Sequence, residues 1–358
     1  MPDKKALYYS DYLQLDKILN AQHPESFKNG NTPAHDEMLF IVIHQAYELW
    51  FKQILFELDF IIDVFKKEKI DDNSDDLNLV RHRLNRIIKI LQLIVQQIGV
   101  LETMTPLDFL EFRNLLIPSS GFQSMQFRLI EARLGLQMEN RFNKDYYKRT
   151  NEGGFTEDDF NTINMMESQV SLLSLINKWL ERMPFFEGEL WNHYEPKFAL
   201  QDKLHAFWND YRNIYNDGLN EREKRRIHDF DFVFFEIKSN DETLPAPQLT
   251  STAMRAALFI MLYRDFPVFQ TSYQVLDALI QIDNELANWR HKHMDMVRRM
   301  IGMRTGTGNT TGRGYLQGAL NSHYIFKDIA GLSTFLIERK KLPKLPVDLI
   351  RKLSYSDQ

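Results

Sequence analysis

Two histidines sit where an apolar helix face would otherwise carry another Leu or Phe. His44 lies in the run Leu39-Phe40-Ile41-Val42-Ile43-His44-Gln45-Ala46-Tyr47-Glu48-Leu49-Trp50-Phe51, and His293 in Trp289-Arg290-His291-Lys292-His293-Met294-Asp295-Met296. An imidazole between core helices is costly unless its ring nitrogens find partners. A metal-centred cofactor held between the two helices would supply one; a backbone carbonyl would supply another. His293 falls on a stripe with Leu279, Ile282, Leu286, Trp289, Met296 and Met300, at steps of three and four, whereas His291 points roughly 160° away. His-Lys-His is therefore no two-ligand metal clip. One inward histidine suits an axial ligand of haem better than a zinc site, which takes three or four protein ligands. A core histidine bonded to a carbonyl is the alternative.

Three further groups could serve such a centre. Phe40, His44, Tyr47 and Phe51 form an aromatic stripe, which is either plain core or the wall of a pocket for a flat aromatic substrate. Phe109 and Arg113 share a helix face at i and i+4, so the guanidinium could clamp a carboxylate bidentately; a surface or helix-packing arginine fits the spacing as well. Gly306-Thr307-Gly308-Asn309-Thr310-Thr311-Gly312 is the one glycine-rich loop, able to line an anionic group or to act as a flexible connector. It lacks the Gly-Lys-Ser/Thr ending of a Walker loop, and it follows a helix instead of the strand that a dinucleotide fingerprint requires.

The elements that must position these residues are helices. Apolar residues recur at helical spacing and almost nothing alternates with period two, so the predicted fold class is all-α. Thr32-Pro33 reads as the start of a helix reaching about Lys67, and Leu77 to Leu101 as a second with Leu77, Val80, Leu84, Ile87, Leu91 and Ile94 on one face. Thr105-Pro106 opens a short third helix ended by Pro118; Phe122 to Leu134, closed by Gly135, forms a fourth. Thr156 caps a helix predicted to reach about Met183. Residues 186 to 250, polar, aromatic and charged, read as a peripheral helical insertion with a solvated face. Helices resume near Thr252 and Ser272, the latter reaching about Met303, and Pro343 and Pro346 mark a tail with no clear element.

The 358 residues are 44% hydrophobic and 26% charged, with a formal charge of −5, so no basic field awaits nucleic acid. No linker-like stretch divides the chain, and a single domain spanning 1–358 is expected. With no cysteine, disulfides, iron–sulfur ligation, thiolate-ligated haem and covalent haem attachment through thioethers are excluded. The amino terminus lacks a signal-peptide apolar run, and the apolar stretches are interrupted short of a membrane span. The expectation is a cytoplasmic protein without membrane or nucleic-acid partners.

Taken together, several blocks resemble the tryptophan 2,3-dioxygenase family: Tyr9-x-x-Tyr12-Leu13, Phe40-Ile41-Val42-x-His44-Gln45-Ala46-Tyr47-Glu48-Leu49-Trp50, Phe109-x-x-Phe112-Arg113, Pro118-Ser119-Ser120-Gly121-Phe122-Gln123-Ser124-x-Gln126-Phe127-Arg128, Trp289-Arg290-x-x-His293 and Gly306-Thr307-Gly308. They run in order from residue 9 to about 320. The resemblance implies a haem-dependent dioxygenase that opens the indole ring of L-tryptophan with both atoms of O2, giving N-formyl-L-kynurenine in the first step of tryptophan catabolism. It implies haem b, one per subunit, non-covalent and ferrous when active.

The roles it implies are specific. His293 is the proximal iron ligand, and His44 lies beside the indole N–H. Phe40 and Phe109 pack on the indole, Arg113 pairs with the tryptophan carboxylate, and Thr307 holds the amino-acid end. Ser120 lies near the haem on its oxygen-binding side and is grouped with His44 as catalytic. Trp289 and Arg290 lie on the haem side, Arg290 near a propionate. Tyr9, Tyr12 and Leu13, within an intersubunit segment 1–20, reach a neighbour's pocket in a homotetramer built as a dimer of dimers. The loop departs from the family's usual Gly-Thr-Gly-Gly-Ser-Ser-Gly-Tyr at Asn309, Thr310, Thr311 and Arg313. Rival readings are a haem mono-oxygenase acting on another indole and a non-catalytic haem-binding helical protein; retention of Arg113 and Thr307, which address an amino acid's polar end, argues against the first, and retention of His44, His293 and Arg113 against the second.

Overall fold

In a computed structural model the chain is described over residues 6–68, 70, 75–138, 141, 154–186, 188–200, 204–237, 247–302, 304 and 323–354, all of it helix, turn or loop, with no strand among the described residues. Two short helices, α1 (Tyr9–Leu13) and α2 (Leu15–Leu19), precede α3 (Asp36–Phe65) and α4 (Asp75–Leu101). Then come α5 (Pro106–Phe112), α6 (Met125–Leu134), α7 (Glu157–Glu167), α8 (Leu172–Glu181), α9 (Ala206–Gly218), α10 (Arg226–Phe235), α11 (Ser251–Leu262) and the long α12 (Pro267–Ile301). Helices α13 (Lys327–Gly331) and α14 (Val347–Leu353) end the described chain.

The centre is a layer of α3, α4 and α12. The most extensive helix contact runs between α12 and α4, and α3 lies against α4. All six residues of the predicted α4 stripe, from Leu77 to Ile94, are buried. By length and composition α4 is also apolar enough to cross a membrane, a property the sequence reading missed; its apolar face is used inside the bundle, as in the core helix of a globular protein.

Several boundaries differ from expectation for physical reasons. Helix α3 begins at Asp36, not at Pro33, because Ala34 N–H donates to Ser26 Oγ (3.0 Å) and the buried Glu37 carboxylate accepts from Glu25 and Ser26 N–H. The helix predicted from Thr156 to Met183 is two: Ser171 starts a second by accepting from Ser174 N–H, after α7 has ended at Glu167. The segment predicted to start at Phe122 begins as a short 3₁₀ turn, Gly121–Gln123, before α6.

The solvated face expected for residues 186–250 is corrected. The Glu221–Arg226 charge run is exposed, but Phe207, Trp208, Tyr211 and Tyr215 of α9 and Phe230 and Phe234 of α10 are buried in the main core. The chain around Pro343 and Pro346 likewise carries core residues, with Leu345, Leu349 and Leu353 buried.

Candidate active site

His44 faces inward from the middle of α3. Its Nδ1–H donates to Phe40 O (2.7 Å), since a carbonyl can only accept, and this leaves Nε2 as a bare acceptor. Burial lowers its pKa, outweighing the Phe40 carbonyl and Glu48, so the ring is neutral near pH 7. Phe40 lies against the imidazole, centroids 4.1 Å apart, and stacks at 5.8 Å on Phe109 of α5; Phe112 closes the cluster edge-on at 5.6 Å from Phe40.

Helix α5 exists because of local chemistry: Thr105 and Asp108 form a capping box and Pro106 takes the first turn. Phe109 O then accepts from the backbone N–H of Arg113, which begins a 3₁₀ turn, so the half-buried arginine follows directly on the aromatic wall. Ser120 caps the next 3₁₀ turn, its Oγ accepting from Phe122 N–H at 3.3 Å.

On the opposite side Trp289 stacks on His293 within α12, centroids 5.0 Å apart and planes 15° from parallel. Tyr47 and Phe51 of α3 meet the same indole edge-on, each at 6.4 Å, and Phe127 of α6 lies 4.8 Å away. His293 is pushed down to about 4, first by burial and then by proximity of His44, so the two histidines face one electrostatic environment from α3 and α12. Three polar atoms gathered there have no hydrogen-bond partner: Tyr47 Oη, Trp289 Nε1 and His293 Nδ1. A neutral imidazole with no competing partner suits a metal ligand, and among the described residues no trio of His, Cys, Asp or Glu could hold an ion unaided. A macrocycle that brings its own metal ligands fits this donor set.

Contacts that sequence reasoning did not assign hold the site together. Glu48 accepts from Ser124 Oγ (2.6 Å) and from Gln126 Nε2 (2.8 Å), tying the turn after Ser120 to the helix of His44. Tyr47 and Glu48 stood in the recognised motif without a role; their i+3 and i+4 spacing from His44 was the available signal. Arg290 is buried, and its Nη2 donates to Glu131 at 2.9 Å. Tyr9, Tyr12 and Leu13 do not join the cavity of their own chain: they are 71%, 68% and 37% exposed. Thr307, Asn309, Thr310, Thr311 and Arg313 lie outside the described residues.

The site therefore defines an all-helical bundle with two inward, neutral histidines, one on α3 and one on α12, each packed against aromatic rings. The family follows from sequence comparison: a family model described as tryptophan 2,3-dioxygenase matches residues 2–336. The tryptophan 2,3-dioxygenase of Bdellovibrio bacteriovorus is 42% identical, with 98% of each chain aligned. That of Dictyostelium discoideum is 40% identical over 96% of this chain and 87% of its own, and the tryptophan 2,3-dioxygenase B of Danio rerio 39% identical over 99% and 87%. The chain belongs to the tryptophan 2,3-dioxygenase family.

Proposed function

We propose that this chain carries out the family's haem-dependent oxidation at the cavity between α3 and α12, opening the indole of L-tryptophan with both atoms of O2 to give N-formyl-L-kynurenine. The observation that carries the reading is the pair of inward, neutral histidines, His44 and His293, the first beside the aromatic wall of Phe40 and Phe109 and the second stacked on Trp289. His293 would hold a non-covalent haem b, one per subunit and ferrous in the active enzyme. That haem supplies the activation of oxygen, chemistry no side chain here provides.

The chain's residues bind and orient the substrate. His44 Nε2, left free by the bond from Nδ1–H to Phe40 O, accepts the hydrogen bond of the indole N–H. Phe40 and Phe109 pack on the indole, and Arg113 takes the carboxylate while Thr307 holds the ammonium end, which fixes the C2–C3 bond in one orientation. Ser120 sits on the oxygen-binding side. Trp289 supports the His293 ring, and Arg290 stands one residue on, facing the haem side.

The same proposal includes a cytoplasmic homotetramer, a dimer of dimers, in which Tyr9, Tyr12 and Leu13 complete a neighbour's pocket. It is supported by exposed apolar residues on the amino-terminal segment (Leu7, Tyr8, Tyr9, Tyr12) and by a second exposed stripe on α3, Leu49, Phe56 and Phe60. Gln45, next to His44, anchors that segment by donating to Ala21 O and accepting from Gln22. The absence of cysteine accords with a reducing compartment.

The test is the Soret spectrum of haem-loaded protein with and without L-tryptophan, followed by product mass under O2. A spectrum perturbed by tryptophan and a product heavier by two oxygen atoms support the reading. One added oxygen points to mono-oxygenation, and haem binding without turnover to a binding protein.

A further inference from the structure

Glu131, near the end of α6, is completely buried, and so are the groups around it: Arg128, Arg141, Arg290 and His323 are all under 10% exposed. Its Oε1 accepts from Arg290 Nη2 (2.9 Å) and lies 3.5 Å from His323 Nδ1; its Oε2 accepts from Arg128 Nη1 (2.9 Å) and from Arg141 Nη1. Arg141 also donates to Glu167 Oε1 at 3.0 Å. Burial works to raise the carboxyl's pKa, but the guanidiniums of Arg128 and Arg141 hold it well below the ordinary range. Buried charge clusters add little net stability over an apolar core, yet they fix geometry when every member is paired.

The backbones of α6 and α12 scarcely approach each other. Side chains therefore span the gap at two levels one turn apart on α6: Phe127 on Trp289, and Glu131 on Arg290. On α12 the partners are consecutive, and His293 follows one turn later beneath the Trp289 ring. Arg128, which bonds Glu131, also lies over the rings of Phe122 and Phe127. Among the described residues Glu131 makes no hydrogen bond or ion pair with His44, His293 or Trp289, and its tie to α12 is the bond from Arg290.

We infer that Glu131 is a positioning residue for the proximal histidine: by holding Arg290 it fixes the turn of α12 that carries Trp289 and His293, and with it the orientation of the imidazole toward the haem iron. The inference rests on the assignment of His293 as the iron ligand. Outer residues that orient a ligand typically change metal retention by about 10- to 100-fold when replaced.

The test uses full-length, haem-loaded Glu131→Gln and Glu131→Asp. Resonance Raman of the ferrous protein reads the iron–histidine stretch, and transfer to a haem scavenger reads retention. Glu131→Gln is expected to shift or broaden the band and to lose haem about 10- to 100-fold faster, with partial return toward wild type in Glu131→Asp. A wild-type band and wild-type retention overturn the inference, whatever happens to the melting temperature. If Glu131→Gln does not fold, Arg290→Gln takes its place, because it leaves Glu131 paired with Arg128 and Arg141 and cuts the tie to α12 alone; an unchanged band there overturns the inference too. Absence of any iron–histidine band in the wild type overturns the His293 assignment, and this inference with it.

Discussion

Trp289 lies almost parallel to His293, ring centroids 5.0 Å apart and planes 15° from parallel. The contact joins residues one helical turn apart, so it restricts rotation of the imidazole about its own χ angles without help from another element. Tyr47 and Phe51 of α3 meet the indole edge-on, so side chains reaching from α3 also bear on the orientation of His293. The same relationship explains why Tyr47 is buried although its hydroxyl has no hydrogen-bond partner.

His293→Ala is expected to abolish axial ligation by the protein. Trp289 cannot substitute, and among the described residues no other histidine lies on the inward stripe of α12. Haem content and the ferrous spectrum are the measurement; a variant that keeps normal histidine-ligated haem would remove His293 from the proximal role.

Arg113→Ala should raise the KM for L-tryptophan by roughly ten- to a hundredfold while leaving haem content unchanged. A charge-assisted hydrogen bond is worth about 1.5–3 kcal/mol, and each ~1.4 kcal/mol is a factor of ten. Steady-state kinetics against tryptophan decides it, because an unaltered KM in a folded variant means that the guanidinium only packs the turn after α5.

Much of this architecture was legible because its signals are local. The α4 stripe repeats at steps of three and four, and the Thr105–Pro106 start of α5 lies within one turn; each forms as read. The core role of α9 and α10 was not, because Phe207, Trp208 and Tyr211 alternate with Asn209, Asp210 and Arg212, and averaging over such a segment reads as polar. Tertiary contacts bury the polar residues as well: Asp210 accepts from Tyr194 Oη and from Lys197 and Phe198 N–H, and Arg212 pairs with Asp231. Nor could the Glu131 cluster be read, since its members come from residues 128 to 323 and each looks singly like an ordinary surface charge. The pocket residues were recognisable through their motif, whereas periodicity alone left His44 and His293 open between ligand and core.

Gly135→Ala is expected to destabilise the fold by about 2 kcal/mol or more. Gly135 ends α6 with φ +130°, and a Cβ there would lie 2.7 Å from the Cβ of Leu173 on α8. Both are backbone-fixed atoms, so neither can move aside. Thermal unfolding of the apoprotein checks the effect, and a melting temperature equal to wild type would show that the turn relaxes freely.

The apoprotein should lose stability as pH falls from about 7 toward about 5. Burial lowers the pKa of His44, His205, His293 and His323 below the ordinary 6.5, so the unfolded chain binds more protons than the folded one in this window, and stability rises with pH through it. Asp283 acts in the opposite sense: burial raises its carboxyl from 3.8 to about 6, so the folded chain holds its proton longer and gains stability as pH falls through that range. Four proton uptakes opposed by one leave a net acid-side loss. Asp283→Asn, which keeps an acceptor for Phe326 N–H, should make that loss steeper. Denaturant midpoints measured across the window decide it, and a shallower slope in Asp283→Asn contradicts the assignment.

Deleting residues 1–14 tests whether assembly completes the pocket. Helices α1 and α2 have no buried residue in their own chain, and Leu7, Tyr8, Tyr9, Tyr12 and Leu19 are all more than two-thirds exposed. So short a segment cannot build a core alone, and exposed aromatic side chains at this density mark a surface meant for a partner. The deletion removes Tyr9, Tyr12 and Leu13 but spares the Gln22–Gln45 and Ala21–Gln45 bonds beside His44. The expected variant binds haem through His293 with an unchanged ferrous spectrum, and its KM for tryptophan is raised about tenfold or more, as loss of one good contact implies. Light scattering coupled to size exclusion separates the two routes to that loss. A persistent tetramer with poor tryptophan affinity means that the tyrosines close a neighbour's pocket directly, and dissociation means that they hold the assembly together. A fully active monomer lacking these residues would refute both.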